Sequence, residues 1–206
     1  SRGMMLATQG ARYRAPWRTS GFAAGALQRF GARLAGCCRL FFALKGRLQL
    51  LTDRVRRAFD SGDLSAYRAL KQELLPYVTP CGVFTRRRSD CLTESSGLVV
   101  VDIDHLESAE ETENLRQQLF DDPYLCPALV FISPTGRGVK AFVPCLHGQN
   151  PAEGIQWAMN YVHCMYDAEN TQPGKGVDTS GKDLVRACFL CHDPKALLRK
   201  VVNFEL

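Results

Sequence analysis

The stretch that most limits the fold is residues 98–104, with the sequence LVVVDID. Its run of four aliphatic residues, three of them β-branched, predicts a strand buried on both faces. Because side chains alternate along a strand, Asp102 and Asp104 point to the same side, about 6.6 Å apart. Like charges this close raise the pKa of at least one carboxyl group. A divalent cation such as Mg²⁺ or Mn²⁺ explains the pair; the alternative is a strand that ends in two solvated carboxylates.

Length and charge restrict what surrounds this strand. The 206 residues suffice for one domain, or for one domain with an appendage, and no apolar run approaches the length of a membrane span. The net charge of +5 is unevenly distributed, since residues 1–52 carry nine basic and no acidic residues. The remaining residues carry 17 basic and 21 acidic residues, so any affinity for nucleic acid must come from a local patch.

Residues 1–46 differ in composition from the rest and are interpreted as a basic N-terminal extension, with residues 47–206 as the domain. Three interpretations remain open for the extension: an arm that touches nucleic acid or a membrane surface, a transit peptide, and a poorly ordered tail with some helix. The sequence shows no secretory signal pattern, so its nine cysteines are expected to be reduced thiols. The predicted location is therefore cytoplasmic.

The rest of the chain alternates helical and strand patterns, which predicts an α/β (α+β) fold. Apolar spacing predicts a helical pair over residues 51–74, with a cap at Ser61-Gly62-Asp63. A helix capped by Ser108 and another capped by Asn150 follow the paired-aspartate strand. Residues 128–132 and 139–143 predict a hairpin, and residues 184–190 a mostly buried strand. Helices are therefore expected to flank a central sheet.

The hairpin turn is the second candidate site. Its glycines permit close approach of a ligand, and Ser133, Arg137 and Lys140 supply hydroxyl and positive groups that suit phosphate oxygens. An ordinary hairpin turn has the same composition, so the pattern alone leaves both interpretations open.

Asp178 and Arg186 form the third candidate. An arginine in an otherwise apolar segment needs a partner, which is either a carboxylate or a ligand phosphate. Asp178, Asp183 and Asp193 are all available as structural partners. Nearby, Cys188-Phe-Leu-Cys191-His192 has the spacing of a haem attachment or half a zinc site, but buried thiols explain it better because no second Cys-x-x-Cys exists.

Together these three motifs resemble the VirE N-terminal domain, also called the BT4734-like domain, over roughly residues 50–200. The resemblance is carried by the VVVDIDHL sequence around Asp102, by SPTGRGVK ending at Lys140, and by the pair Asp178 and Arg186. That domain is similar to the catalytic core of primase–polymerases. The resemblance implies a primase–polymerase-like core with a central sheet related to the RNA-recognition fold.

The resemblance also implies a function. Asp102, Asp104 and Asp178 would hold two Mg²⁺ or Mn²⁺ ions for nucleotidyl transfer to a 3′-hydroxyl, with Ser133, Arg137, Lys140 and Arg186 at the nucleotide's phosphates. The implied partners are nucleotide triphosphates, single-stranded or primed nucleic acid, and a helicase-like region in a mobile-element or plasmid replication protein. Lys140 stands where these enzymes usually carry a histidine, which leaves enzymatic activity uncertain. The alternatives are an inactive nucleotide- or strand-binding module and a metal-dependent nuclease.

Overall fold

The computed structural model describes residues 6–7, 36–146, 149–167, 176–178 and 182–199. Residues 36–45 are helical (α1), and the other helices are Gln49–Asp60 (α2), Leu64–Leu74 (α3), Ala109–Asp121 (α4) and Pro151–Tyr166 (α5). The strands are Leu6–Ala7 (β1), Tyr77–Val78 (β2), Gly82–Phe84 (β3), Leu92–Ser95 (β4), Leu98–Asp104 (β5), Leu129–Ile132 (β6), Val139–Pro144 (β7), Gly176–Val177 (β8), Cys188–Phe189 (β9) and Leu197–Leu198 (β10).

Five strands form the central sheet in the order β10-β6-β7-β5-β8, and every neighbouring pair is antiparallel. Along the chain, the series β5-α4-β6-β7-α5-β8 is the split β-α-β arrangement of ferredoxin-like domains. Two smaller sheets, β1-β2-β9 and β3-β4, lie outside it. The predicted fold class, a mixed α/β (α+β) domain with a central sheet flanked by helices, is confirmed.

Strand β5 lies between β7 and β8, and its side chains supply both faces of the sheet. Val99, Val101 and Ile103 are buried with α4 and α5 on one face. Leu98 and Val100 are buried in the core of the opposite face. The predicted burial on both faces is therefore confirmed, and the same alternation fixes the face on which Asp102 lies.

The two helices on the first face begin where the sequence predicts. The Ser108 side chain accepts a hydrogen bond from the backbone N–H of Glu111 at 3.0 Å and caps α4. Asn150 and Glu153 form a reciprocal capping box at the start of α5, with Pro151 at its first position. These caps satisfy backbone donors that a helix start would otherwise leave unpaired.

The second face of the sheet is also covered. Residues Cys37, Leu40 and Leu44 of α1 pack there against β6 and β7, together with Cys188 and Leu190. Part of the predicted N-terminal extension thus belongs to this core, although residues 1–5 and 8–35 lie outside the described part of the chain. The division of the chain at residue 47 stays a prediction.

Helices α2 and α3 form the predicted helical pair. Asp63 caps α3 by accepting a hydrogen bond from Ala66 N–H at 2.9 Å, and Gly62 adopts a left-handed φ of 79° in the turn. Val55 and Tyr67 pack with Leu75 and Cys191 in a third core cluster. In the described part of the chain, no helix combines the length and apolarity that a membrane span requires.

The prediction of a strand over residues 184–190 is wrong except at Cys188–Phe189. Asp183 organises a turn instead, because its side chain accepts from Val185 N–H at 3.2 Å and its carbonyl from Arg186 N–H at 3.1 Å. Local side-chain hydrogen bonds of this kind compete with strand pairing. The turn places Arg186 beside Asp178 rather than inside the sheet.

Candidate metal and phosphate site

Three carboxylates meet where β5 and β8 lie side by side. Asp102 is buried and Asp104 half-buried at the end of β5. Asp178 follows β8 directly, and its backbone N–H donates to the carbonyl of Asp102 at 2.9 Å. One oxygen from each of the three side chains lies within 4.8 Å of the others. Residues from two distant parts of the sequence therefore form one acidic cluster, which we call the aspartate triad.

Two cations are held against this triad. Lys140 lies opposite Asp102 in the β5–β7 register, and its ammonium forms a buried ion pair with Asp102 Oδ2. Arg186 pairs with Asp178, and its Nη2 lies 3.9 Å from Asp102 Oδ2. With three carboxylates and two cations, this group of five side chains has a net charge of −1. Its net charge suits a single divalent cation better than two.

The two oxygens of Asp102 have different surroundings. Oδ2 faces both Lys140 and Arg186. Oδ1 is buried and has no hydrogen-bond partner among the residues that the structure describes. Most buried polar atoms in proteins are paired, and an exception is often explained by a water or an ion. Carboxylate oxygens are the donors that Mg²⁺ and Mn²⁺ prefer, so this oxygen and its neighbours fit such an ion.

Burial and charge act together on the ionisation of the site. Burial, and then the neighbouring charge of Asp102, raise the pKa of Asp104 above its ordinary value. Burial alone would lower the pKa of Lys140, but the adjacent Asp102 carboxylate outweighs it and the pKa is raised. The protonated form of Lys140 is therefore favoured, whereas burial and the charge of Asp102 disfavour the ionised form of Asp104.

The β6–β7 turn packs directly against the end of β5. Ser133 N–H donates to Gly138 O at 2.8 Å and closes the turn. A Cβ atom on Gly138 would lie 2.6 Å from Ile103 O and 2.7 Å from Asp104 Oδ1, so a larger residue cannot occupy this position without moving the strand end. The same Cβ would lie 2.9 Å from Ser133 Oγ, a buried hydroxyl that shares a hydrogen bond with Thr135 Oγ1 at 2.9 Å.

The four residues predicted to hold phosphate are divided between two places. Lys140 and Arg186 lie at the aspartate triad, with Ser133 beside it. Arg137 points elsewhere, since its Nη1 donates to Glu107 O at 2.7 Å in the loop before α4. The turn thus separates one cation of the predicted phosphate cradle from the others.

Two residues of α3 lie within electrostatic range of the triad and were not predicted as site residues. Tyr67 is buried, and the charges of Asp104 and Lys140 act on its phenol. Lys71 is half-buried with its Nζ 4.9 Å from the Tyr67 ring centre. Burial and then the charge of Lys140 lower the pKa of Lys71. The sequence held one signal for this pair, a lysine four residues after Tyr67 on a helix face that is otherwise apolar.

The Cys-x-x-Cys-His segment holds buried thiols, as the sequence favoured. Burial raises the pKa of Cys188 and of Cys191 to about 12, which disfavours the thiolate form that a metal needs. His192 uses its backbone N–H to bond Thr52 Oγ1 at 2.7 Å. Among the described residues, the aspartate triad is the group of acidic, histidine or cysteine side chains close enough to share a metal ion.

Comparison with known proteins adds one finding to this geometry. A family model described as BT4734-like, N-terminal domain, matches residues 69–198, which is more than half of the chain. The match includes all three aspartates, the β6–β7 turn and Arg186. No curated protein and no solved structure matches the chain.

Proposed function

The chain belongs to the BT4734-like N-terminal domain family, and from that premise we propose that it is a metal-dependent nucleotidyl transferase that adds nucleotides to a 3′-hydroxyl. The observation that carries the proposal is the aspartate triad with Lys140 and Arg186 held against it. Carboxylates that share a metal beside fixed cations are the groups that phosphoryl transfer requires. The similarity of its motifs to those of primase–polymerases supports the same reaction.

Asp102, Asp104 and Asp178 would hold Mg²⁺ or Mn²⁺, and the unpartnered Asp102 Oδ1 supports this assignment. When bound, the ion supplies activation of the attacking hydroxyl and neutralisation of charge on the transferred phosphate. Among the described residues, none supplies Asp104 with a counter-charge as close as those of the other two aspartates, so it is the carboxylate that depends most on the metal.

The cations would bind the triphosphate of the incoming nucleotide. Lys140 has three donors, so its ammonium can keep its hydrogen bond to Asp102 and still donate to a phosphate oxygen. Arg186 presents a planar guanidinium beside Asp178, and Lys71 adds a third positive charge from α3. Ser133 donates or accepts next to Asp104. Because these groups recognise phosphate alone, the chain would act on nucleotides and single-stranded or primed nucleic acid of any sequence.

The cellular setting belongs to the same proposal. All nine cysteines lie in the described part of the chain and keep their thiols, which supports a reducing, cytoplasmic location. A helicase-like region in the same replication protein would supply the single strand.

A binding module without chemistry is the second candidate. It is favoured by the ion pairs of Lys140 with Asp102 and of Arg186 with Asp178, because both occupy carboxylates that a metal needs. The net charge of the five-residue group is then too small for two divalent ions. Such a module would bind a nucleotide and a metal ion without extending a strand.

The two candidates are separated by measuring incorporation of labelled nucleotides on a primed strand with Mn²⁺, Mg²⁺ or a chelator. The transferase is expected to extend the primer only with metal. Calorimetric binding of Mn²⁺ and nucleotide without extension supports the binding module. Shortening of the strand without added nucleotide supports a nuclease, and absence of metal binding contradicts the triad assignment altogether.

Asp104→Asn is expected to abolish Mn²⁺ binding and extension without lowering the melting temperature. The pKa of Asp104 is raised by burial, so its ionised form opposes folding at neutral pH, and a neutral side chain of the same shape removes that cost. Asp90→Asn removes an exposed carboxylate that pairs with Arg88 and should leave activity unchanged. Extension that survives in Asp104→Asn contradicts the role given to Asp104.

A further inference from the structure

A pocket lies on the far side of the β6–β7 turn from the aspartate triad. Its volume is about 380 Å³, and it opens to the surface between the end of α2, α4, the turn and residues 192–195. Four cationic side chains line it: Arg56, Arg116, Arg137 and Lys195. It is therefore a positively lined pocket, and the proposed chemistry at the triad does not use it.

Acidic neighbours neutralise only part of this charge. Arg116 pairs with Asp193 at 3.1 Å, and Lys195 pairs with Glu113 at 2.8 Å. Asp60 is the third carboxylate of the lining, against the two remaining cations. Those two contact backbone carbonyls, with Arg56 Nη2 donating to His192 O at 3.3 Å and Arg137 Nη1 to Glu107 O at 2.7 Å. The pocket keeps a positive excess.

Two guanidinium groups of the pocket have unused donors. Arg56 Nε and Arg116 Nε are buried without a hydrogen-bond partner among the residues that the structure describes. Arg116 is only 6% exposed, so water does not substitute freely for a partner. An unsatisfied donor on a buried charged group is costly, so these two guanidinium groups favour an anion close by, held in the pocket by the N–H groups that reach it. Phosphate oxygens are the acceptors that arginine donors match best.

The turn connects this pocket to the triad. Gly138 contacts Asp104 on one side, whereas Gly136 lies against Arg56 on the other, with its Cβ position 3.5 Å from Arg56 Nε. Gly136 has a left-handed φ of 75°, which lets the turn bend over the guanidinium. A strand whose end lies at the triad would therefore pass this pocket when it crosses the turn.

We propose that the pocket binds a backbone phosphate of a single-stranded nucleic acid, with Arg56 and Arg137 as donors and Arg116 as a supporting charge. This inference rests on the proposed function for the placement of the strand end, but not for the anion binding itself. The ligand chemistry is a phosphate group, which a free phosphate ion would share. The pocket would hold the strand in place while its end reaches the aspartate triad.

The test is anisotropy of a labelled single strand without metal, which removes the contribution of an ion held by the triad. Arg56→Gln is expected to weaken binding about tenfold, since one charge-assisted contact is lost. The dependence of affinity on salt should also become shallower by about one unit of slope. Arg57→Gln makes the same charge change at the exposed neighbouring position of α2 and should have a much smaller effect. Equal losses in the two variants overturn the proposal.

Further measurements separate the alternatives. Arg137→Gln should reproduce the loss, and unchanged melting temperatures show that neither variant acts through unfolding. Inorganic phosphate should compete with the strand, because both would place a phosphate group in the pocket. If Arg56→Gln loses phosphate binding while strand binding is unchanged, the strand assignment is overturned. If Arg56→Gln still binds Mn²⁺, a loss of strand binding in this variant does not count against the proposed function. If Asp104→Asn still binds the strand, a loss of metal binding in that variant does not count against the phosphate pocket.

Discussion

Asp102→Ala is expected to abolish metal-dependent extension and to destabilise the fold by about 3–5 kcal/mol. Both effects come from one side chain, because Asp102 supplies the unpartnered oxygen of the triad and also neutralises buried Lys140. Removal of the carboxylate takes the ion-pair partner from the buried ammonium, and Asp104 is left as the triad carboxylate that acts on it. Urea denaturation and primer extension measure the two effects.

A pair of further variants separates folding from function. Lys140→Met alone should also destabilise the fold without metal, because it leaves the buried Asp102 carboxylate with only the more distant Arg186, 3.9 Å away, of its two ion-pair partners. Mn²⁺ should recover more stability in Lys140→Met than in the unmodified protein, since no ammonium then competes for Asp102. The double variant Asp102→Ala with Lys140→Met should recover much of the stability and none of the activity. A double variant as unstable as either single one contradicts the ion-pair account.

Asp122→Ala is expected to cost about 3 kcal/mol of stability, far from the triad. Asp122 is 6% exposed and accepts hydrogen bonds from the N–H groups of Tyr124 and Leu125 and the hydroxyls of Tyr161 and Tyr166. Alanine leaves these donors without an acceptor between α4 and α5. The neighbouring Asp121 is exposed and pairs with Gln117, so Asp121→Ala should change the free energy of unfolding little. Similar losses in both variants would show that the network does not stabilise the fold.

The same carboxylate predicts a dependence on pH. Burial alone would raise the pKa of Asp122, but hydrogen bonds from Leu125 N–H, Tyr166 and Tyr161 outweigh it and lower the pKa. A lowered pKa in the folded state gives stability that is complete above the unfolded value of about 4 and is lost as pH falls through the folded value. Asp122→Asn should therefore show a flatter acid limb in its free energy of unfolding. An unchanged acid limb contradicts this assignment.

The sequence predicted the parts of the fold that depend on local patterns. The aliphatic run before Asp102, the caps at Ser108 and Asn150, and the hairpin around Gly136 are all where the sequence indicated. The strand over residues 184–190 was misassigned because apolar content alone does not separate a strand from a buried turn, and Asp183 decides between them. The covering of the second face by α1 depends on long-range packing and had no local signal.

Part of the candidate site could also be predicted from the sequence. Alternation along β5 predicted that Asp102 and Asp104 share a face. The family resemblance implied Asp178 as the third carboxylate, and the pairing of β8 with β5 brings it next to the other two. The pairing of Asp102 with Lys140 follows from the β5–β7 register, which spacing along the chain does not reveal. Arg56 and Arg116 were missed because their pocket joins elements that lie far apart in the sequence.

The covered second face of the sheet also limits how a polynucleotide can approach. RNA-recognition domains stack bases on aromatic side chains across the open face of a four-stranded sheet. Here α1 and the segment around Leu190 close that face, and Phe131 and Phe142 are wholly buried beneath them. Bases cannot lie flat on this face, so the strand of the proposed function would come end-on, at the rim where Asp104 and the β6–β7 turn reach the surface. A domain of this architecture would then engage the terminus of a polymer rather than its middle.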